Sequence, residues 1–229
     1  MNILIFGATG MVGQGVLREC LAAGDVEHVT ALSRMPTGLT HSKLREVIVR
    51  DLFDVASYSD RMRDAHACFF CLGVQSSGLA EEEYSRLTYD LTLAVSGMLV
   101  TRDPQMTFIY VSGLGTDATE SGSSMWARVK GRTENALRKL PFKAVHLFRP
   151  AAILPVNGEQ SKTPSYRYFY NAAGWLLRPM RNLSGGYILT TEDVGQAMLT
   201  IARQGWPDAV LEPPAIRKAA DLFRLKILA

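Results

Sequence analysis

The chain has 229 residues, and its hydrophobic content of 47% against 21% charged residues fits one large folded α/β domain and argues against disorder. A formal net charge of +3, with Lys and Arg scattered along the chain, argues against a nucleic-acid partner or a membrane surface. The apolar runs are also shorter than the roughly 18 residues of a membrane span.

The first half of the chain alternates between strand-like and helix-like segments. An apolar segment at 2–6 leads into a glycine-rich turn, and helical spacing follows it. Further strands are predicted at 26–32, 43–49, 67–72, 106–111 and 144–148, and helices at 54–64, 79–101 and 125–140. This alternation predicts an α/β fold with a doubly wound parallel sheet of Rossmann type and helices on both faces.

After residue 150 the pattern loosens. We predict a loop, an aromatic-rich helix at 166–180, short strands at 187–189 and 209–211, a helix capped by Thr190 or Thr191, and a last helix that opens at Pro213. We therefore predict one domain, 1–229, with a dinucleotide-binding core at 1–150 and a small C-terminal lobe at 151–229 over the carboxyl edge of the sheet.

The glycine turn is the main functional signal. It lies between a strand and a helix, as in dinucleotide-binding turns, and the alternative is a glycine turn without a ligand. Gly7 permits a tight turn, Gly10 leaves room for a pyrophosphate, and Gly13 lets helix and strand pack closely. The turn also contains Thr9, Met11 and Val12. The N-terminus of the helix that follows has free N–H groups, which bind phosphates.

The end of the second strand predicts NADP rather than NAD. An acid at this point would bind a free ribose 2′-hydroxyl, whereas an arginine accommodates a 2′-phosphate. The sequence here has Ser33 and Arg34 and no acid. The alternative is that Arg34 is simply an exposed loop residue.

The cysteines and histidines do not predict a metal site. Cys68 and Cys71 are three apart on a predicted strand, so their side chains point to opposite faces, and with Cys20 they indicate a reducing, cytoplasmic environment. Because the first strand is predicted to begin at Asn2, we expect no signal peptide. The histidines lack metal-ligand spacing; they are His28, His41, His66 and His146.

Several motifs together resemble the atypical and extended short-chain dehydrogenases/reductases, most closely the Tat-interacting-protein oxidoreductase branch near the NmrA-like proteins. The motifs are Gly7–Gly13, Phe70–Gly73, Val111–Gly113, Lys130–Gly131 with Glu134, and Phe148–Pro150. The resemblance implies that Asp51 and Leu52 meet the adenine, although Asp51 is equally a turn capper. It also implies backbone contacts to the cofactor from Cys71, Leu72 and Gly73, and from Arg149, Pro150 and Ala151 beside the nicotinamide carboxamide.

The resemblance implies a catalytic Ser, Tyr and Lys, with Tyr four residues before Lys on one helix face. Ser112 and Lys130 occupy their expected positions, but Trp126 stands where the Tyr is expected. An indole N–H donates hydrogen bonds and does not titrate, so Trp126 cannot supply the proton. The alternative is that Trp126 is a packing residue and that Lys130 only binds ribose. Gly113 follows Ser112 where many family members have a second Ser, and Thr116 is a candidate substitute for it. A tyrosine of the C-terminal lobe is an alternative proton donor; the candidates are Tyr166, Tyr168, Tyr170 and Tyr187.

Two functional hypotheses follow. The first is an NADP-dependent oxidoreductase, or an epimerase or dehydratase, that acts on a small carbonyl or sugar-like substrate. The second is a regulator or scaffold that senses NADP(H) and acts through a protein partner, as NmrA-like proteins do. We expect a monomer or a homodimer in either case. The cofactor motif supports both hypotheses, and Trp126 favours the second.

Overall fold

The computed structural model describes residues 1–159 and 184–228. Its main feature is a seven-stranded parallel sheet with the strand order β3-β2-β1-β4-β5-β6-β9. The strands of this sheet are β1 Asn2–Phe6, β2 His28–Ser33, β3 Leu44–Ile48, β4 Ala67–Phe70, β5 Thr107–Val111, β6 Ala144–Phe148 and β9 Val210–Leu211. A second, parallel pair consists of β7 Ala152–Leu154 and β8 Ile188–Thr190. The first six strands follow the order of dinucleotide-binding folds, and the predicted doubly wound sheet is confirmed.

Helices cover both faces of the main sheet. They are α1 Met11–Ala22, α2 Val55–Tyr58, α3 Glu81–Ser85, α4 Leu91–Arg102, α5 Met125–Leu137, α6 Thr191–Gln204 and α7 Pro213–Leu228. A 3₁₀ turn, Ser59–Met62, follows α2, and a π-helical turn, Arg86–Asp90, joins α3 to α4. Within 1–159 and 184–228, no helix combines the length and apolarity that crossing a bilayer requires.

The alternation of side chains along β1 divides the core into two layers. Ile3 and Ile5 point to one face, where they pack with residues of α1, α6 and α7. Leu4 and Phe6 point to the other face, where they pack with residues of α2 and α4. Cys68 belongs to the second layer and Cys71 packs against the first, which confirms that the two thiols face opposite ways. Burial raises the pKa of Cys71 to about 12.

The C-terminal part of the chain extends the main sheet. β9 pairs with β6, and α6 packs against α1. Close packing depends on two glycines, because a Cβ on Gly15 would lie 2.5 Å from Thr191 Cβ and one on Gly195 would lie 2.7 Å from Glu19 Cγ. Much of the predicted lobe at 151–229 therefore contributes to the sheet and its helical layer. The division at residue 150 remains a prediction, and the helix predicted at 166–180 lies outside the described residues.

Two local predictions differ in detail from the structure. The helix predicted at 54–64 is split into α2 and a 3₁₀ turn. The turn ends at Met62, because Arg63 is extended and Asp64 has a φ of 62°, which is incompatible with a continuing helix. The strand β7, between Pro150 and the predicted loop, was not predicted; it pairs with β8 across a long sequence separation. The cap of α6 is confirmed, because Thr190 and Asp193 form a reciprocal capping box.

Candidate functional site

The glycine turn after β1 has the geometry that a close-packed turn requires. Gly7 has a φ of +82°, and a Cβ there would lie 2.7 Å from the backbone carbon of Cys71. A Cβ on Gly13 would lie 2.1 Å from the Gly7 carbonyl oxygen, so α1 rests directly on the turn. By contrast, a Cβ on Gly10 would meet only that same oxygen, at 3.4 Å. The absence of a side chain is thus a packing requirement at Gly7 and Gly13, and at Gly10 it keeps space open.

The N-terminus of α1 is left without a protein cap. Gly10 is the N-cap residue and has no side chain to accept from the first N–H groups, and the first turn contains no acidic residue. The side-chain amide of Gln14 (Nε2) donates to the Thr9 carbonyl oxygen at 3.0 Å, which holds the turn against the helix. An uncapped helix N-terminus behind a glycine turn is a suitable site for the phosphates of a dinucleotide.

The turn lies where the strand order reverses. β1 pairs with β2 on one side and with β4 on the other, and ligands of such sheets bind in the crevice at this point. The Cys71 amide donates to the Phe6 carbonyl oxygen at 2.9 Å, so the end of β4 lies beside the glycine turn. Leu72 is partly buried there, and Gly73 is exposed at the crevice. The structure therefore brings the predicted residues of both strands together.

At the ends of β2 and β3 the predicted adenosine residues have different roles. The buried Ser33 donates its hydroxyl proton to the Met35 carbonyl oxygen, so that proton already serves the turn and not a ligand. Arg34 is exposed beside it. Asp51 accepts from the Phe53 amide at 2.9 Å and is thus a turn capper, which leaves its second carboxylate oxygen for other donors. Leu52 is buried, and its carbonyl oxygen accepts from the Tyr58 hydroxyl.

A cavity of about 560 Å³ continues from the glycine turn to the end of β5. Met11 and Val12 form one wall, and Ser112 and Trp126 line the same space. The other described lining residues are uncharged: Gly73, Val74, Gln75, Ser76, Tyr84, Val111, Gly113, Leu114, Pro150, Ala151 and Ile153. Predicted cofactor and catalytic residues therefore share one cavity, whose described walls carry no charged side chain.

Ser112 is held by a neighbouring hydroxyl. Its Oγ lies 2.8 Å from Thr116 Oγ1, and Thr116 donates its proton to the Gly113 carbonyl oxygen at 2.7 Å. Because a threonine hydroxyl has one proton, Ser112 is the donor between the two hydroxyls. In this arrangement the Ser112 hydroxyl can accept a hydrogen bond from a ligand in the cavity. Ser112 can donate to a substrate only after its hydrogen bond to Thr116 breaks. Thr116, which the sequence analysis proposes as a substitute for the family's second Ser, positions Ser112 through this hydrogen bond.

Trp126 packs its indole ring on a glycine-containing loop. A Cβ on Gly113 would lie 3.6 Å from one ring atom, and a Cβ on Gly115 would lie 3.6 Å from another. Gly115 also has a φ of +88°, which favours glycine there. Trp126 thus both packs and lines the cavity, at the position where the resemblance implies a phenol.

Lys130 lies one turn beyond Trp126 on α5. Its Nζ donates to the carbonyl oxygens of Val111 and Ser112, each at 3.3 Å, and lies 5.3 Å from the centre of the Tyr110 ring. Burial lowers the pKa of Lys130 to about 8, against the opposing effect of the Glu134 carboxylate. The ammonium group is therefore fixed beside Ser112 and is partly neutral just above physiological pH.

Arg149 has a structural partner. Its guanidinium forms a bidentate ion pair with the buried Glu134, with Nη2 at 2.5 Å from Oε2. The hydrogen bond from Arg149 to Glu134 raises the pKa of Arg149. The Arg149 side chain thus ties α5 to the end of β6, and the cofactor contact that the resemblance implies for Arg149 is one of its backbone. Pro150 and Ala151 remain at the cavity wall.

Tyr84 is a titratable lining residue that sequence reasoning missed. It is buried, it lines the cavity with Ser112 and Trp126, and burial raises the pKa of its phenol. Only its position in an apolar helical stripe marks it in the sequence. Of the tyrosines predicted as alternative proton donors, Tyr187 is exposed, and the others, Tyr166, Tyr168 and Tyr170, lie outside the described residues.

Comparison with known proteins supports a nucleotide-binding fold. Residues 7–145 match a family model described as NAD(P)H-binding. Protein fmp52, mitochondrial, from Emericella nidulans is 24% identical over 204 residues, which are 86% of this chain and 84% of that protein. Protein HTATIP2 from Rattus norvegicus is 26% identical over 155 residues, covering 67% and 63% of the two chains. The latter match agrees with the resemblance drawn from the motifs.

Two further matches are more limited, one in the length that it covers and one in sequence identity. Leucinostatins biosynthesis cluster protein T from Purpureocillium lilacinum is 28% identical over 145 residues, and the match spans 52% of that protein. The solved structure of the Bordetella bronchiseptica enzyme WbmF in complex with NAD+ superposes with a TM-score of 0.68 at 16% identity, covering 98% of this chain and 77% of that one. At this identity the likeness to WbmF is one of fold.

Proposed function

The chain belongs to the NAD(P)H-binding family, and from this premise we propose that it is an NADP(H)-dependent oxidoreductase acting on small, uncharged carbonyl compounds. One observation carries the proposal: the cavity that begins at the uncapped glycine turn ends at Ser112, beside the fixed ammonium group of Lys130. A dinucleotide bound at the turn thus extends into the cavity that contains the Ser112 hydroxyl. Function depends on this site and not on the fold alone.

The glycine turn fits a dinucleotide on structural grounds. Gly10 leaves open space, and the first N–H groups of α1 have no side-chain cap. We assign the pyrophosphate to this turn, the adenosine to Arg34 and Asp51, and the nicotinamide half to the cavity lined by Met11 and Ser112. A bound nicotinamide supplies or accepts the hydride. The preference for NADP over NAD rests on Arg34 and on the lack of an acid at the end of β2.

The described cavity walls favour an uncharged substrate. They contain no charged side chain, and Val74 and Leu114 are exposed apolar residues at the rim. Desolvating a charged substrate against such walls would be costly. A small carbonyl compound fits this cavity better than a sugar with charged substituents.

Proton delivery decides between an enzyme and a regulator. Trp126 has no titratable proton, and Ser112 already donates to Thr116. We therefore expect slow reduction. Tyr84, the phenol in the described cavity wall, would serve as the proton donor. The second candidate is an NADP(H)-sensing regulator, and Trp126 is the specific observation in its favour.

Single-turnover NADPH absorbance with a panel of carbonyl compounds tests the proposal. The wild-type chain should oxidise NADPH slowly, and Trp126→Tyr should be faster, because a phenol beside Lys130 restores an acid worth about 10²–10⁴-fold. Trp126→Phe is the matched control without a hydroxyl and should gain nothing. Tyr84→Phe should slow the wild-type reaction. NADPH binding without oxidation by either wild type or Trp126→Tyr would instead support the regulator.

The cytoplasmic location and the oligomeric state stay predictions. The fmp52 relative carries the word mitochondrial in its name, so localisation of a tagged chain is the appropriate test. We propose a monomer or a homodimer, which light scattering distinguishes.

A further inference from the structure

The ends of β2 and β3 place the backbones of two arginines close together. Ser33 pairs with Ile48 in the parallel register, and the Val49 amide donates to the Ser33 carbonyl oxygen at 2.9 Å. Arg34 and Arg50 are the residues that immediately follow these two contacts. Because neighbouring strands lie about 4.8 Å apart, the two arginine backbones are close neighbours at the carboxyl edge of the sheet.

Neither arginine is used by the fold. Both are exposed, and across 1–159 and 184–228 neither guanidinium has a carboxylate partner, whereas Arg149, Arg203 and Arg224 all form ion pairs. Two exposed positive charges at one edge of the sheet attract anions, although solvent screens much of this attraction. Both guanidinium groups are therefore available to an anionic ligand.

The nearby acids accept from backbone amides, and in the described part of the chain neither forms an ion pair with Arg34 or Arg50. Asp51 accepts from the Phe53 amide, and Glu46 accepts from the Thr37 amide at 2.6 Å. The bonds from Ser33 to Met35 and from Thr37 to Glu46 hold the turn that presents Arg34. Arg34 thus extends from a fixed turn next to Arg50, with no acidic side chain paired to either.

We infer that Arg50 is a second specificity-determining residue for NADP, which binds the 2′-phosphate of the adenosine ribose together with Arg34. The ligand group is a phosphomonoester, whose oxygens match the forked donors of two guanidinium groups. The sequence alone indicates Arg34, because Arg34 follows the end of β2. Arg50 is indicated only by the β2–β3 register, which places its backbone close to that of Arg34. This inference rests on the proposed use of NADP(H).

Calorimetric titration of the full chain with NADP+ and NAD+ tests this role without any need for turnover. Arg50→Ala should weaken NADP+ binding at least tenfold and change NAD+ binding less than twofold. Arg34→Ala should show the same selectivity. Arg45→Ala is the matched control, because Arg45 is an exposed arginine of β3 without a described partner and lies five residues, or about 16 Å, before Arg50. It should change neither affinity.

The outcomes separate this inference from the proposed function. If Arg34→Ala lowers NADP+ affinity and Arg50→Ala does not, the role of Arg50 is wrong and the NADP preference stands. Equal losses for both dinucleotides in Arg50→Ala would also overturn the inference, since they would indicate a general charge effect. A wild-type chain that binds NADP+ no more tightly than NAD+ would remove the proposed preference and the role of both arginines with it.

Discussion

Replacing Gly10 with alanine should separate cofactor binding from folding. The added Cβ would meet one heavy atom, the Gly7 carbonyl oxygen, at 3.4 Å, so the turn can accept it with little movement. The same Cβ occupies the space that we assign to the pyrophosphate. We expect NADPH binding to weaken at least tenfold, or about 1.4 kcal/mol, with little change in the free energy of unfolding.

The neighbouring glycine provides the contrast. A Cβ on Gly13 would lie 2.1 Å from the same carbonyl oxygen, so α1 must move away from the turn. Overpacking of this kind costs about 1–3 kcal/mol of stability. Gly13→Ala should therefore lower the urea midpoint as well as the affinity, whereas Gly10→Ala should lower the affinity alone.

Calorimetry with NADPH and urea denaturation, performed on both variants, measure the two effects. Gly24→Ala serves as the control, because its Cβ would have no heavy atom within 4 Å and its backbone does not need glycine. An unchanged NADPH affinity in Gly10→Ala would refute the assignment of the turn to the pyrophosphate. Unfolding of Gly10→Ala would show that the packing argument is wrong.

Two further predictions concern the charges on α5. With the pKa of Lys130 at about 8, about half of the Lys130 side chains are neutral at pH 8. The phosphates and ribose oxygens of a bound dinucleotide favour the charged form, so NADPH binding should take up as much as about half a proton at pH 8. Titrations in two buffers of different ionisation enthalpy measure this uptake, and its persistence in Lys130→Met would contradict the role of Lys130. Glu134→Gln should cost about 3 kcal/mol in urea denaturation, because it leaves the Arg149 guanidinium without its buried counter-charge; a loss below about 1 kcal/mol would show that the pair is not needed.

Local signals account for what the sequence predicted well. The apolar run of β1, the glycines after it and the alternation that follows determine the sheet, and β6 matches its predicted bounds at 144–148. Thr190 and Asp193 form the predicted cap because a capping box is a contact within four residues. The short strand β7 was missed, since three residues after a proline have no pattern of their own and are strand only through pairing with β8.

The candidate site was predictable in its positions and less so in its partners. The ion pair of Arg149 with Glu134 and the hydrogen bond from Ser112 to Thr116 could not be predicted, because both depend on how α5 and the loop after β5 pack. Tyr84 reaches the cavity through the packing of α3, which periodicity alone cannot place. The substitution at Trp126, by contrast, was visible in the sequence, and the structure adds the glycine loop on which the indole rests.

Equilibrium binding of NADPH and NADH to the wild-type chain, followed by the fluorescence of the reduced nicotinamide, tests the central claim most directly. The glycine turn, the uncapped helix and Arg34 predict one saturable NADPH site per chain, with NADH bound at least tenfold more weakly. Absence of saturable binding for both dinucleotides would contradict the whole assignment of the site.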